Sequence, residues 1–115
     1  MIFHNKDIKI AVIGLGYVGL PLAIELAKKF KVYGYDINKE RINDLKLNID
    51  NTLEIDSSTL KKTKVNFSFN EKILNKANVF IVTVPTGVNR KNLPDLRLLK
   101  QSTYTISKYL KSKSL

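Results

Sequence analysis

The chain has 115 residues, 43% apolar and 26% charged, which is enough for one domain with a buried core. It contains no cysteine, which excludes disulfides, thiolate metal sites and cysteine nucleophiles within these residues. The formal charge of +10 comes from 17 Lys and only 3 Arg, scattered from Lys6 to Lys113. These are solvated point charges rather than Arg forks, so no nucleic-acid partner is expected. No apolar run approaches the ~18 residues needed to cross a bilayer, and Met1 to Lys6 does not read as a signal peptide. The expected compartment is the cytoplasm, with no membrane partner.

Ile8-Lys9-Ile10-Ala11-Val12-Ile13 is a short apolar run ending at glycine, the pattern of a buried parallel strand. From Tyr17 to Phe30 the spacing becomes helical, with Gly19, Ala23, Leu26, Ala27 and Phe30 on one face. Pro21 falls in the first turn, where its missing N–H costs nothing, and Lys28 and Lys29 close the helix at its negative end. Lys31 to Asp36 predicts a second strand. Asn38 is an N-cap candidate for a helix through Leu47 with Ile42 and Leu45 inward.

Residues 48–64 are polar and predict a loop followed by a short helix over Ser58 to Lys62. Val65 to Phe69 alternates as a third strand, and Asn70 caps a turn through Leu74. Asn78 to Val84 is the strongest strand pattern, stopped by Pro85. Thr86 to Leu93 is a loop, and Pro94 opens a last helix over Asp95 to Leu110. The expected fold class is therefore α/β, a Rossmann-type doubly wound parallel sheet of about four strands. A complete sheet of this kind has about six, so truncation is expected.

The chemistry concentrates at Gly14-Leu15-Gly16-Tyr17-Val18-Gly19. A dinucleotide pyrophosphate must lie against backbone N–H groups at a helix N-terminus. A side chain at Gly14 would obstruct the turn out of the strand; one at Gly16 would hold the pyrophosphate off the backbone. At Gly19 it would wedge the helix away from the strand. Asp36 follows Gly16 by 20 residues at the end of the next strand, where a carboxylate can accept both adenosine-ribose hydroxyls. That carboxylate would repel a 2′-phosphate at about 4 Å by an energy of kcal/mol size, which favours NAD over NADP. Lys39 and Arg41 offset part of that repulsion, or instead line the adenine-ribose edge, or form a solvated first helical turn. Thr83 and Thr86, at the carboxyl end of the fourth strand, carry hydroxyls able to bond phosphate, ribose or carboxamide; incidental threonines at a strand end read equally well.

His4 has no metal-ligand partner in sequence, and Glu54 with Asp56 reads as well as a polar loop as it does an acid/base pair. Tyr17 packs over a cofactor or at the rim, while Tyr104 and Tyr109 are expected to pack on the last helix. No catalytic set and no metal site is predicted.

Ile10 to Ala23, with its Gly-Tyr-Val-Gly-Leu-Pro core, resembles the opening of the UDP-glucose/GDP-mannose dehydrogenase family. Gly34-Tyr35-Asp36-Ile37-Asn38-Lys39-Glu40-Arg41-Ile42 resembles its second strand and helix start. Thr83-Val84-Pro85-Thr86 followed by Pro94-Asp95-Leu96 resembles its fourth strand and next helix. The likeness is strongest to the branch oxidising UDP-N-acetylhexosamines for bacterial surface polysaccharides and capsules. It implies two successive NAD-dependent oxidations of a sugar C6 alcohol to a carboxylate, through an enzyme-held thioester.

The residues it carries over are Gly14, Gly16, Tyr17, Val18, Gly19, Asp36, Lys39 or Arg41, Thr83 and Thr86, all on the cofactor side. Gly87 departs from the family, which commonly has a second proline there. The family's cysteine nucleophile, its UDP-binding domain and its dimerisation helix have no counterpart in these residues. The resemblance thus implies that residues 1–115 are the N-terminal NAD-binding domain of a longer, homo-oligomeric enzyme. It implies too that these residues alone hold NAD weakly, turn nothing over, and meet the UDP-sugar only within that enzyme. The alternative is a non-catalytic dinucleotide-binding module; a basic nucleic-acid binder ranks below it.

Overall fold

Four strands form one parallel sheet in a computed structural model that describes residues 7–85, 87 and 90–110. The elements run β1 (Lys9–Ile13), α1 (Gly19–Leu26), β2 (Lys31–Tyr35), α2 (Lys39–Lys46), α3 (Ser57–Lys62), β3 (Asn66–Ser68), a 3-10 turn (Glu71–Lys76), β4 (Val79–Val82) and α4 (Arg97–Ser107). The sheet order is β3-β2-β1-β4. Ile10 lies beside Val32 on one side and Val79 on the other, and Gly34 beside Phe67. The chain leaves β1 toward one edge and returns to β1's other side at β4, which makes the carboxyl ends of β1 and β4 the point where strand order reverses. This is the doubly wound, Rossmann-type order.

Period-two alternation in β1 divides the core between the two faces of the sheet. Ile10 and Val12 pack with Leu20, Ala23 and Ile24 of α1, Ile42 and Leu45 of α2, and Leu60 of α3. Ala11 and Ile13 pack with Tyr33, Tyr35, Leu74, Ala77 and Ile106 on the opposite face. The expected inward positions of α2 are fully buried, and Asn38 caps it by accepting the Arg41 N–H. Asp56 caps α3 through the Thr59 N–H and Asn70 caps the 3-10 turn through the Lys72 N–H.

Three expectations are corrected. Regular α1 ends at Leu26 rather than Phe30, because Lys28 and Lys29 bond back three residues, to Glu25 and Leu26. The last helix starts at Arg97 rather than Asp95. The Asp95 carboxylate sits outside it, accepting the Arg97 N–H and forking its guanidinium. Tyr104 does not pack: Ser102 and Ile106 set the inward face of α4, which leaves the ring 68% exposed under Lys108. Tyr109 packs as expected, against the second cluster.

Candidate functional site

Three of the candidate residues lie one residue beyond a strand. Gly14 follows β1, Asp36 follows β2 and Thr83 follows β4, and their N–H groups make the last bonds of the ladder, to Tyr35, Ser68 and Ile13. The sheet thereby delivers three separate sequence segments to one edge. A cleft of about 380 Å³ opens there, a size suited to a small-molecule site. Gly14, Leu15, Gly16, Asp36, Ile37 and Arg41 form much of its wall.

The three glycines differ in what they do. Gly14 has φ +96, and a Cβ there would stand 3.0 Å from the Thr83 carbonyl carbon and the Val84 nitrogen. A Cβ on Gly19 would collide with the Gly14 carbonyl oxygen and the Thr83 hydroxyl, so α1 can approach β1 only through a glycine. A Cβ on Gly16 would meet nothing within 4 Å, so the fold itself does not require glycine there. That open space lies beside the start of α1, where Val18 makes no side-chain cap bond and the first turn carries no acid. No side-chain cap competes with an anion for the N–H groups of that first turn, and no acid there repels one. Tyr17 and Val18 are 68% and 67% exposed, on the outer rim of the loop.

Asp36 is fixed at both oxygens. Oδ2 accepts the Leu15 N–H at 2.9 Å and Oδ1 accepts the Asn38 N–H at 2.9 Å. The Leu15 bond locks the carboxylate to the glycine loop and leaves further lone pairs for hydroxyl donors. Tyr35 lines the same cleft; burial, with the Glu71 and Asp36 carboxylates next, pushes its phenol up, so it is neutral at physiological pH.

Arg41 and Lys39 do not form a solvated first turn of equals. Arg41 Nε donates to the Leu15 carbonyl at 2.8 Å and Nη1 donates to Asp50 Oδ1 at 2.8 Å, with its side chain 11% exposed. Lys39 Nζ instead lies 5.0 Å from the centroid of the Phe69 ring and is not part of the cleft wall. The Thr83 hydroxyl donates to the Gly14 carbonyl at 2.6 Å, which makes it first a brace for the glycine loop. Thr86 lies outside the described residues.

Asp50 carries the part of the site that sequence spacing did not reveal. Its side chain is fully buried, and its Oδ1 accepts Arg41 Nη1, the Thr52 N–H and the Thr52 hydroxyl. Its Oδ2 accepts the N–H groups of Glu54 and Ile55. Burial pushes this carboxyl up, but the bonds from Thr52, Arg41 and the backbone outweigh it and hold it at about 2. The result is a folded loop that presents Asn51 and Thr52 to the same cleft as Asp36. The Glu54 N–H serves Asp50 and the Asp56 carboxylate caps α3, the arrangement of a polar loop. The far wall is α4, through Leu98, Gln101, Ser102 and Thr105. Among the described residues there is no group of three or more metal-ligating side chains, and no helix long and apolar enough to cross a membrane.

Comparison with known proteins gives this geometry its context. The model of the UDP-glucose/GDP-mannose dehydrogenase family, NAD binding domain, matches residues 8–115. Over 107 residues the chain is 52% identical to UDP-N-acetyl-D-glucosamine 6-dehydrogenase of Pseudomonas aeruginosa, covering 92% of the chain and 25% of that protein. It is 45% identical over 101 residues to Protein CapL of Staphylococcus aureus, covering 88% of the chain and 24% of that protein. UDP-D-ManNAc dehydrogenase from Pyrococcus horikoshii superposes with a TM-score of 0.84 at 33% identity, covering 94% of the chain and 27% of that structure. The chain thus spans about a quarter of the length of these relatives. By sequence and by structure, the chain belongs to the UDP-glucose/GDP-mannose dehydrogenase family, where it matches the NAD-binding domain.

Proposed function

We propose that residues 1–115 are the N-terminal cofactor-holding domain of a nucleotide-sugar 6-dehydrogenase. In this reading the whole enzyme oxidises the C6 alcohol of a UDP-N-acetylhexosamine, or of UDP-glucose, to a carboxylate for surface polysaccharide. The observation that carries the reading is the convergence of the glycine loop and Asp36 on one cleft at the carboxyl ends of β1 and β2. The relatives' names supply the sugar class, and in this reading a homo-oligomeric state and the UDP-sugar site are features of the whole enzyme.

The residues present fit a dinucleotide. The open space at Gly16 and the uncapped start of α1 suit a pyrophosphate against backbone N–H groups. In this reading Asp36 accepts the adenosine-ribose hydroxyls with the lone pairs that Leu15 and Asn38 leave. Gly14 and Gly19 let α1 meet the sheet at the necessary closeness, and Thr83 braces that contact. Tyr17 and Val18 are exposed within the loop, and Lys39 and Thr86 belong to the set that the family resemblance carries over. NAD, when bound, supplies the hydride acceptor; this chain's residues bind and orient it and perform no proton or acyl transfer.

Calorimetric titration of the purified chain with NAD tests the assignment. The expected result is a Kd in the micromolar range or weaker, with Asp36→Ala reducing affinity at least about tenfold. Absence of NAD binding, or an Asp36→Ala chain that binds identically, overturns it. Incubation with NAD and UDP-N-acetylglucosamine should yield no reduced cofactor from this chain alone.

A further inference from the structure

We propose that Asp50 is a specificity-determining residue: by sequestering the Arg41 guanidinium in a buried ion pair, it withholds from a 2′-phosphate the one arginine placed to receive it. The inference rests on the reading of the cleft as the NAD site.

Leu15 joins the two sides of the argument. Its N–H goes to Asp36 Oδ2 and its carbonyl takes Arg41 Nε, so carboxylate and guanidinium are anchored to the same peptide segment of the cleft wall. A 2′-phosphate on a ribose held by Asp36 would therefore arrive beside Arg41. Arginine is the usual receiver of that phosphate, through two parallel N–H bonds. Here Nε is spent on Leu15 and Nη1 on Asp50, and Nη2 is buried without a hydrogen-bond partner. With Nε held by Leu15, a two-bond fork must draw on Nη1, which Asp50 already holds in place.

Asp50 is itself immobilised. Four further donors besides Arg41 converge on it, from Thr52, Glu54 and Ile55, so the carboxylate cannot follow the guanidinium outward. The pair is also close to neutral overall, so the Asp36 charge dominates the ribose end of the cleft. Discrimination against a 2′-phosphate then has two sources: repulsion by Asp36 and denial of Arg41 by Asp50. A second effect follows from the same bond. The Arg41–Asp50 bond also ties the loop carrying Asn51 and Thr52 to α2, so Asp50 acts on the nucleotide as a positioning residue.

The test is the ratio of the NADP Kd to the NAD Kd, measured by calorimetry on the full 115-residue chain. Asp50→Asn is expected to lower that ratio by about tenfold, by releasing Arg41. The double variant Asp50→Asn with Arg41→Met should restore the wild-type ratio while weakening both nucleotides in parallel. A folded Asp50→Asn chain with an unchanged ratio overturns the proposal. If circular dichroism shows that this variant does not fold, the double variant decides against wild type, since removing both charges leaves neither one unpaired. An unchanged ratio then supports the proposal, and a selective loss of NADP binding overturns it, because Arg41 would already have been serving the phosphate. A wild-type chain that binds neither nucleotide removes the NAD-site reading, and this inference with it.

Discussion

The Thr83 hydroxyl donates to the Gly14 carbonyl oxygen across 2.6 Å, with the Ile13 carbonyl as a longer second acceptor at 3.2 Å. A strand-end side chain thus fixes a glycine loop 69 residues earlier in the chain. Gly14 depends on the neighbourhood in turn, since its left-handed backbone faces the Thr83 carbonyl. Thr83→Val removes the bond and puts a methyl where the hydroxyl met the Gly14 carbonyl oxygen. It should cost about 1 kcal/mol in urea unfolding and weaken NAD several-fold, because the loop loses its brace. Thr83→Ser should recover most of both. If Thr83→Val binds NAD as well as wild type, the brace has no bearing on the nucleotide.

Gly16 and Gly19 separate folding from binding. Gly19→Ala places a methyl against the Gly14 carbonyl and the Thr83 hydroxyl, and should destabilise the chain by about 2–3 kcal/mol. Gly16→Ala meets open space, so its stability should change by less than about 0.5 kcal/mol. NAD affinity should nevertheless fall by at least about tenfold in Gly16→Ala, since the methyl holds the pyrophosphate off the backbone. Thermal melts and calorimetry on the two variants give the comparison. A Gly16→Ala chain that keeps full affinity would remove the pyrophosphate from this loop.

What could be read from the sequence was what is local. Strand runs, the caps at Asn38 and Asn70, the inward pair Ile42 and Leu45, and the glycine spacing all express rules that act within about one or two turns of chain. They were enough to set the sheet, its edge and Asp36. The reading of Arg41 failed to resolve because a cation in a first helical turn has the same signature whether it faces solvent or a buried anion. Its partner Asp50 lies in a polar stretch without periodicity, and only the folded loop turns five donors toward it. Thr83 stays open between ligand contact and an incidental strand end for a related reason: a hydroxyl at a strand end does not announce which strand it will reach across to. Burial of charge and long-range hydrogen bonding are properties of the assembled sheet, not of spacing.

Leu53 marks the cost of folding that loop. It adopts φ 58, with its N–H on the Asp50 carbonyl at 3.1 Å and its side chain 89% exposed. A leucine gains nothing from that exposure and is strained in the left-handed region. Leu53→Asn should therefore raise stability by about 0.5–1 kcal/mol, seen as a melting temperature higher by roughly 3–5 °C. NAD binding should be unchanged, because Asn51 and Thr52 keep their places. A lower melting temperature would mean that Leu53 makes a contribution its exposure does not account for.

Asp50 gives the chain a specific acid sensitivity. Its carboxyl is held at about 2 in the folded chain against 3.8 for an unrestrained aspartate, so the folded state binds the proton less tightly than the unfolded state does. The stabilisation is therefore fully present above about pH 4 and lost as pH falls from there through about 2. Full protonation removes on the order of 2 kcal/mol, and it also leaves Arg41 facing a neutral partner in a buried site. Urea unfolding followed between about pH 6 and about pH 2 should show stability dropping through that window. In the Asp50→Asn, Arg41→Met chain the slope between about pH 4 and pH 2 should be shallower, since other carboxylates titrate there but this pair does not. Equal slopes in the two chains would show that the Asp50 carboxylate is not held by the bonds that converge on it.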